Sequence, residues 1–182
     1  MKIVIVGCGR VGATLAESYD AAGHQVVILD ISTKAFGRLA STFRGAAVRG
    51  DGTDEDTLRR VGAEDADVFL SLTEGDNRNV MAAQVAAEGL GAKRVIAKIN
   101  DPVRAAAYAE LGLTTLCRTT LIADAISAHV GLPLSGQPGI HPSSGSHAGH
   151  SHELHQIYRS DTGETDGGTG ATAGDTTTSR EA

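Results

Sequence analysis

The chain has 182 residues, 41% of them hydrophobic and 3% aromatic, with a formal net charge of −6. That length fits one domain with an appendage and excludes a large two-lobed enzyme. The negative balance argues against duplex nucleic acid as a partner, since phosphate binding needs a clustered positive field.

Strand and helix signals alternate through residues 1–130. Ile3-Val4-Ile5-Val6 is a short apolar β-branched run, the mark of a buried parallel strand. A helix from about Arg10 to Ala22 follows, with Gly23 as its stop. Gln25–Asp30 reads as a second strand, Thr33–Thr42 as a helix and Ala46–Arg49 as a third strand. Asp54 is placed to cap a helix running to about Val61. Asp67–Ser71 is a fourth strand, Asp76–Glu88 a long Ala-rich helix, and Arg94–Lys98 a fifth strand. Asp101-Pro102 opens another helix, with Pro at its first position. Leu113–Leu116 is a weak sixth strand and Thr120–Val130 a last helix. This alternation predicts an α/β fold, a doubly wound parallel six-stranded Rossmann sheet covered on both faces.

Residues 131–182 differ in kind. They are rich in Gly, Ser, Thr and Pro, and after Tyr158 carry no apolar residue larger than Ala. Such a segment cannot bury enough surface to offset its ordering entropy, so a disordered tail is expected. It holds five of the seven histidines: His141, His147, His150, His152 and His155. Imidazole clusters can bind zinc, nickel or copper, so a His-rich metal-binding module is one alternative; a polar linker is the plainer one. No apolar run approaches the roughly 18 residues of a membrane span, and no signal peptide is evident. Cys8 and Cys117 form no CxxC pair, which suits a reducing cytoplasm.

The first strand runs directly into GCGRVG, Gly7 to Gly12. In this strand–turn–helix setting Gly7 permits the tight turn, Gly9 lets the backbone approach a pyrophosphate, and Gly12 lets helix and strand pack closely. The free N–H groups of the helix start attract phosphates. Asp30 closes the second strand 18 residues past Gly12, where a carboxylate accepts hydrogen bonds from a ribose diol and repels a 2′-phosphate. The pattern favours NAD or an adenine nucleotide such as ATP or ADP. Arg10 is either a cation beside the phosphates or a solvated side chain. Cys8 between the glycines reads best as a small side chain tucked under the loop.

Oxidoreductase chemistry needs an acid or base over the nicotinamide and a substrate pocket. His24 and His129 are the histidines of residues 1–130, and neither has an evident Asp, Ser or Lys partner. The chain is therefore expected not to be an enzyme, with a small NAD-dependent oxidoreductase as the alternative.

Four segments carry a resemblance: MKIVIVGCGRVG at the start, VVILDIS at the second strand, RGDGTD at Arg49–Asp54, and LTEGDNRNVMAAQVAAEGLGAKRVIAKINDP at Leu72–Pro102. In order and spacing they closely resemble the N-terminal domain of regulators of potassium conductance. That family includes the cytoplasmic nucleotide-binding subunits of Trk and Ktr potassium uptake systems. The resemblance covers about residues 1–130. It implies a Rossmann domain that senses NAD(H) or ATP/ADP and gates a membrane-embedded potassium transporter subunit from the cytoplasmic face.

Carried over by motif, Gly7, Cys8, Gly9, Arg10, Val11 and Gly12 would hold the phosphates. Asp30, with Ile31 beside it, would hold the adenosine ribose, and Asp51 would lie on the adenosine side. Thr73 and Glu74 would line the middle of the crevice, with Asn77 at the start of the next helix and Lys98 near the ligand. Each also has a plain structural reading: Asp51 a turn acid, Thr73 a helix-start residue, Lys98 a solvated strand-end charge. The last helix resembles one that crosses to a neighbouring subunit, implying a homodimer or higher oligomer. Family members usually continue into a smaller regulatory domain. The polar tail stands in that place here, which leaves two expectations: work beside a full-length paralogue, or a truncated relic.

Overall fold

The computed structural model describes residues 1–132 and 139–142. In chain order its elements are β1 (Lys2–Val6), α1 (Arg10–Ala21), β2 (Gln25–Asp30), β3 (Ala46–Arg49), α2 (Glu55–Arg60), β4 (Val68–Ser71), α3 (Asp76–Gln84), β5 (Val95–Ile99), α4 (Pro102–Glu110), β6 (Thr115–Cys117), α5 (Arg118–Val130) and β7 (Ile140–His141). The strands form one sheet in the order β3-β2-β1-β4-β5-β6-β7. All neighbours are parallel except β6 and β7.

β1 is apolar on both faces because both are covered. Ile3 and Ile5 pack with Val26, Ile28 and Leu70 against Ala13 and Ala16 of α1. Val4 and Val6 pack with Val27, Leu29 and Phe69 against Leu58 of α2 and Ala82 and Ala86 on the α3 side. A third cluster joins Val80 and Ala83 of α3 to Ala97, Ile99 and Ala105. The chain leaves β1 toward β2 on one side and returns through β4 on the other. β1 is thus the switch point, and a crevice opens beyond the carboxyl ends of its neighbours.

The structure departs from the sequence expectation in three places. The sheet has seven strands rather than six: Ile140–His141 adds an antiparallel strand to β6, with Thr115 opposite His141. The segment expected as a helix over Thr33–Thr42 is a 3₁₀ turn over Thr33–Arg38. Gly37 weakens a longer helix there, and the chain instead straightens to place Leu39 and Phe43 on the core. The Ala-rich helix does not run uniformly to Glu88. It widens into a π turn over Val85–Gly89, with Leu90 N–H donating to the Val85 carbonyl at 3.0 Å. That wider turn keeps both Ala86 and Leu90 in the core. The tail expectation from residue 143 onward lies outside the described residues.

Candidate functional site

The glycine loop is shaped by contacts that only glycine permits at two positions. Gly7 has φ 105°, in the left-handed region, and a Cβ there would stand 2.9 Å from the backbone of Leu72 and Thr73. A Cβ on Gly12 would lie 2.0 Å from the Gly7 carbonyl oxygen, so any side chain would push α1 off β1. Gly9 is different: its missing side chain meets nothing within 4 Å. The space in front of it is open, and α1 begins there with no side-chain cap. The first helix bond runs from Ala13 N–H to the Gly9 carbonyl at 2.9 Å. The N–H groups of Arg10, Val11 and Gly12 therefore have no intrahelical partner and remain available to an anion.

Asp30 joins this loop to the end of β2. Its Oδ2 accepts from Cys8 N–H at 2.9 Å and its Oδ1 from Ser32 N–H at 2.8 Å. A carboxylate oxygen has two acceptor positions, so each retains one after these bonds. Two acceptors spaced in that way suit the vicinal hydroxyls of a ribose.

Cys8 is fully buried, its thiol donating to the Ala35 carbonyl at 3.4 Å. Burial, and then the neighbouring Asp30 charge, push that thiol up from its ordinary range. Its role is to fix the loop over the Thr33–Arg38 turn.

The crevice has a volume of about 300 Å³. Of the residues singled out from sequence, Gly7, Cys8, Gly9, Asp30, Ile31, Thr73 and Glu74 line it together. Arg10 and Val11 are exposed on the first turn of α1 and Gly12 is buried beneath it; none of the three lines the cavity. Asp51 is also outside the lining, though its neighbours Gly50 and Gly52 are within it. The Thr53 backbone N–H and hydroxyl, bonded to the Asp51 carboxylate, hold it below the usual carboxylate range, and the Arg78 charge adds to this. Asn77 faces away and bonds to the Arg104 guanidinium. Lys98 is 6% exposed, so it is not a solvated strand-end charge. Burial pulls its ammonium down, and the Glu74 carboxylate opposes that shift.

Sequence reading missed Ser32, Arg38 and Arg78, which line the crevice, and Asn79, which builds its floor. Asn79 is fully buried. Its Oδ1 accepts from Thr73 N–H and Thr73 Oγ1 at 2.7 Å each and from Ser71 Oγ at 3.2 Å. Its Nδ2 donates to the carbonyls of Thr73 at 2.9 Å and Lys98 at 2.8 Å. One amide thus ties α3 to the carboxyl ends of β4 and β5. Among the tail histidines only His141 falls within the described residues, where it is buried in β7. Among the described residues no group of His, Cys, Asp and Glu is placed to hold a metal ion, and no helix is long and apolar enough to cross a membrane.

Comparison with known proteins shows the family and the fold. The chain is 44% identical over 138 residues to the Trk system potassium uptake protein TrkA of Streptomyces coelicolor, covering 76% of this chain and 61% of that protein. It is 30% identical over 112 residues to a TrkA homolog of Pyrococcus abyssi, covering 61% of this chain and 49% of that one. The chain thus spans less than two thirds of either relative's length. Among solved structures, the TrkA-N domain of the inner membrane protein ybaL from Escherichia coli shares the fold, with a TM-score of 0.63 at 20% identity over 71% of this chain and 96% of that one. So does the Kef C-terminal domain of Shewanella denitrificans in AMP-bound form, with a TM-score of 0.59 at 23% identity over 71% of this chain and 78% of that one. The glycine loop, the Asp30 clamp and the Asn79 floor all fall inside residues 3–119, the span matched by the TrkA-N domain family model, and the chain belongs to that family.

Proposed function

We propose that the chain is a nucleotide-sensing regulatory subunit of a potassium uptake system. Its crevice binds NAD(H) or ATP/ADP without turnover, and occupancy biases a membrane-embedded potassium transporter subunit. The observation that carries this reading is the Asp30 carboxylate. It is held by Cys8 and Ser32 N–H groups beside an open, uncapped helix start, with one acceptor position free on each oxygen. Relatives named as Trk potassium uptake proteins, and a similarly folded domain described in AMP-bound form, support it.

A ligand shifts a conformational equilibrium only through its different affinity for two states. The part of the crevice that changes has to touch the part of the ligand that changes. Glu74 and Thr73 line the crevice at the start of the α3 segment, which supports that role for them. α5 carries Ile122, Ile126 and Val130 exposed in one stripe at helical spacing, which supports a homodimer or a pairing with a full-length paralogue. The site of action is the cytoplasmic face of the membrane, as a peripheral subunit. Arg10 as a cation beside the phosphates, and Lys98 near the ligand, belong to this reading as well.

Calorimetric titration of the full chain with NAD, NADH, ATP and ADP tests it. Saturable binding that differs within one pair supports a sensor. Steady NADH consumption across a substrate panel, or no binding by any of the four, overturns it.

A further inference from the structure

One border of the sheet carries charge that the crevice does not use. Residues 31–50 hold four basic residues, Lys34, Arg38, Arg44 and Arg49, and no acidic one, in a chain of net charge −6. The segment runs from the end of β2 through the 3₁₀ turn at Thr33–Arg38 into β3, the outermost strand. All four cations are exposed. Arg44 pairs with Asp20 of α1, Nε to Oδ2 at 3.7 Å. Lys34, Arg38 and Arg49 form no ion pair among the described residues. The α1 carboxylates nearest the segment are engaged with its backbone: Asp20 Oδ2 accepts Arg44 N–H at 2.9 Å, and Glu17 Oε1 accepts Ala40 N–H at 2.6 Å. Arg49 Nε donates to the Ile31 carbonyl at 3.3 Å, which sets a cation beside a residue that is 50% exposed.

We infer that this β3 border contacts an anionic phospholipid surface. Each Lys or Arg held near such a surface raises affinity about fivefold. Arg44 and Arg49 bracket β3, roughly 16 Å apart at the rise of a strand, and Lys34 and Arg38 extend the patch onto the neighbouring turn. Ile31 beside Arg49 adds apolar contact at the headgroup boundary. Other occupants fit less well. Single-stranded nucleic acid binds by stacking on aromatic rings, and Phe36 and Phe43 of this segment pack on the core instead. A second copy of the chain paired at this edge sets like charge against like. Lys34, Arg44 and Arg49 do not line the crevice, so lipid contact and nucleotide binding are separable.

Co-sedimentation of the full chain with vesicles tests this. Vesicles of equimolar phosphatidylglycerol and phosphatidylcholine are expected to bind the chain at about 0.1 M salt, and pure phosphatidylcholine vesicles are not. Binding is expected to vanish at about 1 M salt, where the screening length falls from about 10 Å to about 3 Å. Lys34→Gln combined with Arg49→Gln is expected to weaken binding about thirtyfold. Arg94→Gln combined with Arg118→Gln makes the same change in net charge before β5 and at the start of α5, and is expected to keep wild-type binding. A thermal midpoint equal to that of the wild type reports that each pair is folded. Where the first pair melts early, Lys34→Gln alone is read in its place, with a loss of about fivefold. No preference of the wild-type chain for the anionic vesicles overturns the inference. Equal weakening by both pairs also overturns it, because bulk charge then suffices. Equally tight binding to polyuridylate overturns the lipid assignment in favour of a general polyanion surface. Aggregation of the Lys34 and Arg49 variant, with no vesicle binding by the wild type, assigns these charges to protection of an open sheet edge alone.

Discussion

Asp30 Oδ2 accepts the Cys8 backbone N–H at 2.9 Å, joining the glycine loop to the end of β2 across 22 residues. The loop is held in shape by the same carboxylate that lines the crevice. On the proposed function, loop geometry and ribose recognition form one structural unit. The buried Cys8 thiol, bonded to the Ala35 carbonyl, adds a second tie from the same residue to the turn after β2.

Asp30→Asn separates these roles. An amide retains one acceptor oxygen, so whichever of Cys8 and Ser32 meets its NH₂ group is left donor against donor. Leaving one partly buried N–H unsatisfied costs about 1–3 kcal/mol. Urea unfolding is expected to show that loss, and nucleotide affinity is expected to fall more than tenfold because one ribose acceptor is gone as well. A variant as stable as the wild type with unchanged affinity would contradict the arrangement.

Gly12→Ala acts through the backbone alone. Its Cβ would stand 2.0 Å from the Gly7 carbonyl oxygen, which is closer than any contact can be. Relief requires α1 to retreat from β1. The expected cost is about 1–3 kcal/mol, together with loss of nucleotide binding, since the helix start no longer faces the phosphates. Gly9→Ala has open space around its new methyl and is expected to leave stability nearly unchanged while obstructing ligand approach. The pair of variants, compared by thermal melting and titration, distinguishes packing from binding.

Much of this site was legible in the sequence because its geometry is local. Gly7, Gly9 and Gly12 are placed by a strand, a tight turn and a helix start, and Asp30 by the end of the next strand. Arg38 and Arg78 were not legible, because their approach to the crevice depends on how distant segments pack. Asn77 and Asn79 show the limit sharply. Both lie in the same short polar run, but residues two apart on a helix point to nearly opposite sides. Sequence resemblance drew attention to Asn77, which turns outward to Arg104, while Asn79 turns inward and is fully buried. β7 was invisible for another reason: two residues carry no periodicity, and a Gly-Pro-rich neighbourhood hides them.

Asn79→Leu is close to isosteric and removes every bond of the floor. It leaves Thr73 N–H and the Lys98 and Thr73 carbonyls without that partner. A loss of about 3 kcal/mol is expected from several buried groups left unmet at once. Because Thr73 lines the crevice, affinity is expected to fall as well. An unaltered unfolding midpoint would mean that water replaces the amide at no cost.

Both cysteines are fully buried, and Cys8 is pushed toward the unreactive thiol form. Ellman's reagent at neutral pH is expected to label neither thiol in the folded chain and both after unfolding in denaturant. Rapid labelling of Cys8 in the native protein would show that the loop opens freely. Slower labelling in the presence of nucleotide would then map that opening to the binding site.

Asp67 provides a handle on acid stability far from the crevice. Its carboxylate accepts from Lys93 Nζ at 2.6 Å and from Lys2 N–H at 2.8 Å, and these hold its pKa down to about 2. A carboxyl whose folded pKa is depressed stabilises the fold above its unfolded value near 3.8, and loses that contribution as pH falls toward the folded value. The expected signature is a wild-type stability that declines between about pH 4 and pH 2. Asp67→Asn keeps the shape but removes the charge, so it should be less stable than wild type at neutral pH and converge with it as the pH approaches 2. Urea midpoints of both proteins, measured at intervals across that window, read the convergence directly. A constant gap between the two curves would show that ionisation of Asp67 does not carry the difference.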